Sequence, residues 1–328
     1  MFSMKSDRYK GYFFALLATI SYSCVYIFSK AALNEISQAH QLPASGGRPA
    51  DTFHVLVQFL FYQFLVAFTL NILWSAFSGK FRLFKSLDKA QLRIFLLLGA
   101  MEILTMSSFY LSIFIITDPS VTSFLGNLYP VILTIMGVVI LKERFKWIES
   151  IGVILALAGA FIISYQGGTS LKDMFIPGTL IVLINAILAS TTSIIGKINV
   201  RKLSPDLITL NSTFWPLLTA TVMMFLFRES WIIPFKAFTN IAAGSFLGPF
   251  MGVLLIYYSF KFIEASRSSI VQSMKGIVVL GLAWMYLGTL PVKHQLIGGL
   301  LTVAGVLIMT LAQAQVLRFV KKREISKE

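Results

Sequence analysis

The chain has 328 residues, of which 56% are hydrophobic and only 13% are charged, and its mean hydropathy is +0.79. Soluble proteins carry about 25% charged residues, so this composition excludes an ordinary soluble core and predicts an integral membrane protein. The formal net charge of +14 does not indicate nucleic acid, because no polar domain is present to carry a basic binding face. We therefore expect the protein to lie in a lipid bilayer and not to bind nucleic acid.

The N-terminal segment places Lys5, Arg8 and Lys10 before an apolar run at residues 12–33. This run is longer than the core of a secretory signal and has no obvious cleavage site, so it predicts a retained first span. The single cysteine, Cys24, excludes an intrachain disulfide framework and the usual zinc quartets. The sequence predicts no metal and no cofactor.

The apolar segments that follow are each long enough, at about 20 residues, to cross a bilayer as a helix. In chain order they cover residues 12–33, 53–77, 94–116, 119–141, 147–165, 176–196, 207–227, 241–262, 268–288 and 295–316. The predicted fold class is therefore an all-α integral membrane protein with ten transmembrane helices.

Lysine and arginine are divided unevenly between the two sides that these spans define. With the N-terminus inside, 21 of the 28 basic residues lie in cytoplasmic segments and five lie in outer loops. Because basic residues concentrate on the cytoplasmic side, both termini are predicted to be cytoplasmic, in a bacterial inner (plasma) membrane. Lys275 lies within a span, whereas Lys30 and Lys197 lie near span ends and are expected to extend to the interface.

The chain contains an internal repeat. Shifted by 146 residues, Gly152 and Gly159 superpose on Gly298 and Gly305, and in a second register of 167 residues Lys30 superposes on Lys197. Because each half holds an odd number of spans, the halves are predicted to be inverted repeats, the arrangement of carriers with alternating access. The predicted segments are a first five-helix repeat at 1–166, an extracytoplasmic linker at 167–174, a second five-helix repeat at 175–316 and a basic cytoplasmic tail at 317–328.

One group of residues ends the first half and is typical of a known family. It comprises Leu141, Glu143, Ile151, Gly152, Ala158 and Gly159, with Tyr110, Pro119, Ser120 and Pro130 upstream. This pattern resembles the drug/metabolite transporter superfamily in its ten-helix EamA form, and the resemblance spans nearly the whole chain. It implies a transporter of amino acids, their derivatives or nucleotide-related metabolites. The second half departs from the pattern, because Thr289 stands where the repeat would place a counterpart of Glu143.

Charged and helix-breaking residues inside the spans are the first candidates for a substrate site. Pro130 aligns with Gly276 in the repeat, so the preceding Tyr129 and Lys275 are candidates for a cavity wall, with a packing kink as the alternative. Glu102 and Lys275 are ionisable and predicted at similar depth, where an unpartnered charge is costly. Three roles remain open, namely a structural ion pair, contact with a charged substrate, and proton coupling by Glu102.

Further candidates are polar or flexible residues within the spans. The predicted substrate contacts are Tyr22 and Tyr26 in span 1, Asn127 in span 4, Asn185 and Ser190 in span 6 and Gln272 in span 9. Packing between helices is the alternative for the serine. Glu143, in a short cytoplasmic loop, is interpreted as a turn-fixing or gating carboxylate. Pro249, among glycines in span 8, is interpreted as a bend that serves as a gate hinge.

The function predicted from these features is secondary transport of a small organic metabolite by alternating access, through exchange or proton coupling. One acid, one base and many aromatic residues favour a zwitterion with a cationic or aromatic group, and S-adenosylmethionine fits that description. The three histidines are scattered and no phosphate loop is present, so an enzyme is not expected. A passive channel and, less favoured, an intramembrane enzyme are the alternatives.

Overall fold

The computed structural model describes residues 2–42, 49–80, 88–141, 147–165, 176–199, 203–263, 268 and 271–308. Within these ranges the chain forms helices and no strands, which confirms the all-α prediction. The helices are α1 (Phe2–Ala39), α2 (Pro49–Phe77), α3 (Lys89–Ile115), α4 (Pro119–Leu125), α5 (Leu128–Leu141), α6 (Trp147–Ser164), α7 (Thr179–Asn199), α8 (Pro205–Leu226), α9 (Phe235–Phe262), α10 (Lys275–Leu287) and α11 (Lys293–Ile308).

Most of these helices have the length and composition of membrane spans. In the described ranges eight helices are long and apolar enough to cross a bilayer, and α4 together with most of α5 counts as one of them. The helices α10 and α11 are apolar but shorter. Large apolar side chains such as Ile154, Phe161 and Trp284 lie exposed on the outer surface, as expected where lipid replaces water. The chain is therefore a multi-pass membrane protein.

The two halves of the chain are interleaved. Helix α1 packs against α9 and α10, α2 against α8, α3 against α7 and α8, and α4 against α10. Each of these pairs joins a helix of the first half to a helix of the second half. A cavity between them is consequently lined by both halves.

Helices α6 and α11 cross at two glycine pairs. A Cβ atom added to Gly159 would lie 2.5 Å from the carbonyl oxygen of Gly298, and one added to Gly298 would lie 2.7 Å from the oxygen of Gly159. A Cβ atom on Gly305 would lie 2.6 Å from the oxygen of Gly152. The 146-residue shift pairs Gly152 with Gly298 and Gly159 with Gly305. Replacing each glycine by its repeat mate therefore turns the contact between Gly159 and Gly298 into the contact between Gly305 and Gly152. The equivalent helices of the two halves therefore pack antiparallel, with backbones that approach closely because the side chains are absent.

Two lysines, Lys30 buried and Lys197 half-buried, provide a second correspondence between the halves. Lys30, on α1, donates to the carbonyl oxygens of Phe114 and Ile116 at the end of α3, each at 2.9 Å. Lys197, on α7, donates to the oxygens of Phe260 and Ile263 at the end of α9, again at 2.9 Å. The last carbonyl groups of a helix find no N–H donor within the helix. The ammonium groups of Lys30 and Lys197 donate to these carbonyl oxygens instead. Lys30 is 2% exposed and Lys197 is half-buried, so both ammonium groups are held at helix ends, and their extension to the membrane interface stays a prediction.

Span 4 is broken rather than continuous. Its helix stops at Leu125 and starts again at Leu128, with Gly126 and Asn127 in a turn. Pro130 has no backbone N–H, so a continuous α-helix would leave the carbonyl of Gly126 without its donor. Instead, the N–H of Tyr129 donates to that carbonyl at 3.0 Å.

Span 9 is interrupted by a turn, with helical residues at Ser268, Val271 and Gln272 before it. A turn at Ser273 and Met274 precedes α10, which starts at Lys275, and the N–H of Ile277 donates to the carbonyl of Met274 at 3.1 Å. Span 9 is the repeat mate of span 4. Shifted by 146 residues, the helix start at Leu128 falls one residue before the helix start at Lys275.

Helix α9 is longer than predicted and contains a π-helical segment, Phe246–Gly252. The N–H of Val253 donates to the carbonyl of Gly248, five residues earlier, as a π-helix requires. Pro249 lies inside this segment and cannot donate to the preceding turn. The proline thus has a local structural role that is consistent with a hinge.

Candidate functional site

A cavity with about 790 Å³ of empty space, counted with its open side, lies between α1, α3, α5, α7, α9 and α10. Seven of the nine predicted substrate contacts line it, namely Tyr22, Tyr26, Glu102, Tyr129, Asn185, Gln272 and Lys275. The other lining residues are Thr105, Met106, Phe109, Gly126, Ala189, Thr192, Ser193, Val253, Ile256 and Tyr257. The fold thus gathers on one cavity residues that lie far apart in the sequence.

Glu102 brings a carboxyl group to the cavity wall from the middle of α3. Its side chain is 4% exposed, and its Oε2 atom has no hydrogen-bond partner among the described residues. A buried polar group without a partner costs free energy, and a charged one costs more. Bound solute or water in the cavity is what can satisfy this carboxyl group.

Lys275 brings a basic group to the same cavity as the first residue of α10. Its Nζ atom lies 5.4 Å from the centroid of the Tyr22 ring, which is cation–π geometry. The described ion pairs lie elsewhere, at Lys80–Asp206, Lys236–Glu35 and His54–Glu229. The structural ion pair between Glu102 and Lys275, one of the roles considered from the sequence, is therefore not formed.

Both helix breaks border the cavity. Gly126 and Tyr129 line it from the break in span 4, and Gln272 and Lys275 line it from the break in span 9. Pro130 and Gly276, the residues from which the breaks were predicted, do not lie in the breaks themselves but in the first turns of α5 and α10. Matching breaks next to a shared cavity are characteristic of carrier binding sites.

Aromatic rings form one wall of the cavity. The ring of Phe109 lies 5.8 Å from the ring of Tyr22 and 5.2 Å from that of Tyr26, measured between centroids. Tyr257 packs against Gly196, where an added Cβ atom would lie 2.6 Å from the tyrosine Cε1. The glycine thus makes room for the ring. These rings offer electron-rich faces to a cation and a flat surface to another ring.

Amide and hydroxyl groups form much of the remaining polar lining. Asn185 donates through Nδ2 to the carbonyl of Thr105 at 2.7 Å and to the hydroxyl of Ser108 at 3.1 Å. The hydroxyl groups of Tyr129 and Ser193 are hydrogen-bonded at 2.9 Å. These contacts fix side chains on α7 to α3 and α5, so the polar wall is preformed.

Several predicted residues lie outside the cavity lining. Ser190 donates to the carbonyl of Ala186 at 2.7 Å and to that of Tyr129 at 3.2 Å, so it joins α7 to α5. Asn127 is 2% exposed, and its Nδ2 atom has no partner in the described part of the chain. Glu143 falls outside the described residues.

Several lining residues that carry no charge were not predicted from the sequence. Thr105, Met106 and Phe109 follow Glu102 at spacings of three, four and seven residues along α3. Residues at these spacings share one face of a helix. The helical periodicity counted from Glu102 was thus the signal that would have identified them.

A polar cluster fastens the C-terminal end of α2 to α8 and α9. Lys80 donates to Oδ1 of Asp206 and to the hydroxyl of Tyr258, both at 2.7 Å, and Trp74 donates to Oδ1 of Asp206 at 2.9 Å. Burial acts to lower the pKa of Lys80, but its hydrogen bonds to Asp206 and Tyr258 outweigh burial, and the pKa is raised above its ordinary value. The lysine is therefore a firmly charged member of this cluster.

A second polar cluster fastens the N-terminal end of α2. His54 is hydrogen-bonded to Glu229, and Gln58 donates to the carbonyl of Ser230 at 3.0 Å while bonding to His40 at 2.9 Å. Both ends of α2 are thus tied to the second half of the chain.

Comparisons with known proteins agree with this arrangement. The profile of the EamA-like transporter family matches residues 48–165 and 176–311, which are most of the chain. One solved structure, described only as a crystal structure of a protein, has a TM-score of 0.58 and 15% sequence identity, covering 90% of this chain and 98% of its own. That likeness concerns the fold alone, and the search of curated proteins found no match. The chain belongs to the EamA-like transporter family.

Proposed function

We propose that this protein is a secondary transporter that moves a small zwitterionic metabolite by alternating access. The substrate class is an amino acid or amino-acid derivative that carries a flat or cationic group, such as S-adenosylmethionine. The observation that carries the proposal is the placement of Glu102 and Lys275 on one cavity without an ion pair between them. Two opposite charges that do not neutralise each other favour a ligand that bears both signs.

The proposed topology is ten membrane spans arranged as two inverted five-helix repeats, with both termini in the cytoplasm of a bacterial cell. The antiparallel crossing of α6 and α11 supports the inversion, because repeat mates that run in opposite directions cross the membrane in opposite directions. Two halves of similar structure give inward-open and outward-open states of similar free energy, which alternating access requires.

The proposed movement uses the helix breaks and the clusters at the ends of α2. The turns before α5 and α10 and the π-helical segment around Pro249 are places where helices can bend. Opening on one side breaks the cluster at Asp206, and opening on the other side breaks the cluster at Glu229. Transport is coupled through exchange of substrates or through a proton, for which Glu102 is the acid in the cavity lining.

The test is uptake by purified protein in liposomes. A carrier gives saturable uptake of radiolabelled S-adenosylmethionine or an amino acid from a metabolite panel, and unlabelled substrate on the opposite side accelerates it. Glu102→Gln and Lys275→Met are expected to reduce uptake at least about tenfold, since a charge-assisted hydrogen bond contributes about 1.5 to 3 kcal/mol. The exposed Lys261→Met serves as the control and is expected to keep wild-type uptake.

Two results would overturn the proposed function. A conductance that is independent of substrate would identify a channel, and release of a chemically altered product would identify an enzyme. Uptake that survives in both cavity variants would remove Glu102 and Lys275 from the substrate site.

A further inference from the structure

The acidic and basic residues that line the cavity, Glu102 and Lys275, lie on different helices, so the two ends of the cavity differ in charge. Resting on the proposed transport of a zwitterion, we propose that the substrate binds in one orientation. Its carboxylate lies at the first turn of α10, beside Lys275 and Gln272, and its cationic group lies at Glu102. Lys275 and Glu102 are then specificity-determining residues for opposite ends of one molecule.

The carboxylate end is defined by the start of α10. This helix runs for 13 residues from Lys275, so its N-terminus carries the positive end of a helix dipole. Lys275 adds an ammonium group at the same point and lines the cavity there. Gln272 is 3% exposed and donates one of its two N–H groups to Ser268 at 3.1 Å, and among the described residues the second N–H group has no acceptor. All three features favour an anion.

The cationic end is defined by the carboxyl group of Glu102. Glu102 lies on α3, its side chain is 4% exposed, and its Oε2 atom has no partner among the described residues. Tyr26, Phe109 and Tyr257 line the same cavity as Glu102. Aromatic rings around a carboxylate complement an ammonium or sulfonium group through charge and cation–π attraction.

The repeat supplies an internal comparison. The residue that matches Lys275 in the first half is Tyr129, which is uncharged and whose hydroxyl is already bonded to Ser193 at 2.9 Å. The start of α5 therefore lacks the ammonium group present at the start of α10. The reverse orientation of the substrate would place its carboxylate against the carboxyl group of Glu102 and its cation against Lys275, with like charges at both ends.

The experiment measures binding of matched probes to the full chain in lipid nanodiscs. One set is L-phenylalanine, phenethylamine, which lacks the carboxylate, and 3-phenylpropanoate, which lacks the ammonium group. The second set is S-adenosylmethionine and its decarboxylated analogue. In wild-type protein the complete zwitterion of at least one set is expected to bind about tenfold or more tightly than its truncated analogues, because each removed group leaves one charge in the cavity unpaired.

The variants separate the two ends. Lys275→Met is expected to weaken the zwitterion about tenfold and to leave the probe without a carboxylate within about twofold of wild type. Glu102→Gln is expected to weaken the zwitterion and the amine, and to leave 3-phenylpropanoate unchanged or tighter. Lys275→Arg should restore the preference for a carboxylate. Lys30→Met removes a buried lysine outside the cavity and should leave all affinity ratios as in wild type.

An equal loss for every probe in both cavity variants, or a reversed pattern, would overturn the orientation. Another outcome is that wild-type protein binds and transports a zwitterion although Lys275→Met and Glu102→Gln do not discriminate between the two truncated probes. In that case the orientation fails and the transport function stands. If no probe of either set binds wild-type protein and no metabolite is taken up, the orientation and the proposed function fail together.

Discussion

Lys30 and Lys197 are equivalent in the two halves of the chain, and each donates hydrogen bonds to two carbonyl oxygens at the end of a helix in its own half. The helices they complete, α3 and α9, are themselves repeat mates. A buried lysine that satisfies two helix-terminal acceptors is part of the framework, unlike Lys275, which faces the cavity. The lysines of the spans therefore occupy two different settings, the end of a helix for Lys30 and Lys197 and the cavity wall for Lys275.

The first prediction concerns these framework lysines. Lys30→Met leaves the carbonyl groups of Phe114 and Ile116 without their donor, and we expect it to lower the free energy of unfolding by about 1 to 3 kcal/mol. Lys197→Met should have a smaller effect, because Lys197 is less buried than Lys30, which is 2% exposed. Unfolding in detergent, followed by tryptophan fluorescence, measures both. A loss no larger than that of the exposed Lys261→Met would contradict the role assigned to the lysines.

The second prediction concerns the crossing of α6 and α11. Gly159→Ala and Gly298→Ala each place a methyl group within 3 Å of the opposite backbone, so the helices must separate. Overpacking of this kind costs about 1 to 3 kcal/mol, and a lowered thermal midpoint in detergent would report it. Gly281→Ala is the matched control, because no atom lies within 4 Å of the added Cβ. It should be neutral or slightly stabilising, since alanine favours helices.

The third prediction concerns the cluster at the C-terminal end of α2. Lys80→Met leaves the carboxylate of Asp206, which is 2% exposed, without its cation, and we expect a loss of about 1 to 2 kcal/mol of stability. The loss is modest because the Lys80 side chain is 30% exposed. If the cluster closes the cavity on this side, the variant should also bind substrate from that side faster.

The same cluster has a defined pH dependence. Because the pKa of Lys80 is raised in the folded protein, its stabilisation is fully present below the ordinary lysine value of 10.5 and is lost as the pH rises through the raised value. The stability difference between wild type and Lys80→Met should therefore be constant from about pH 6 to 9 and shrink above about pH 10.5. A difference that vanishes near neutral pH would show that another group governs the cluster.

The fourth prediction concerns the hinge in α9. Pro249→Ala supplies a backbone N–H and lets the π-helical segment tighten into an α-helix. We expect uptake to slow several-fold while substrate affinity stays within about twofold, because Pro249 does not line the cavity. Pro177→Ala, in an exposed turn, is the control. Unchanged uptake in Pro249→Ala would show that bending at this segment is not part of the transport cycle.

The sequence was sufficient for the helices and for most of the cavity, for a simple physical reason. A bilayer admits helices of about 20 apolar residues and penalises unpaired charge, so apolar length located the spans and Glu102 and Lys275 marked the cavity. The repeat then identified Tyr129 through its proximity to a break, and Gln272 was predicted as a polar residue within span 9. None of these inferences needed side-chain packing.

What the sequence could not supply depended on contacts between distant residues. Ser190 and Ser193 are alike in sequence, yet Ser190 bonds to backbone carbonyls and Ser193 lines the cavity. The partners of Lys30 are backbone oxygens more than 80 residues away, which no side-chain pattern encodes. The π-helical segment likewise depends on how α9 accommodates Pro249 against α1.

The glycine crossing of α6 and α11 has a consequence for the ancestry of the fold. In this crossing each helix contacts its own repeat mate, so the same surface is used on both sides. The isologous interface of a homodimer is self-complementary in the same way. A single five-helix gene product inserted in both orientations would therefore carry both sides of this joint. Fusion of two such genes fixes one copy of each orientation in every molecule, and later divergence, as at Lys275 and Tyr129, gives the two copies different tasks.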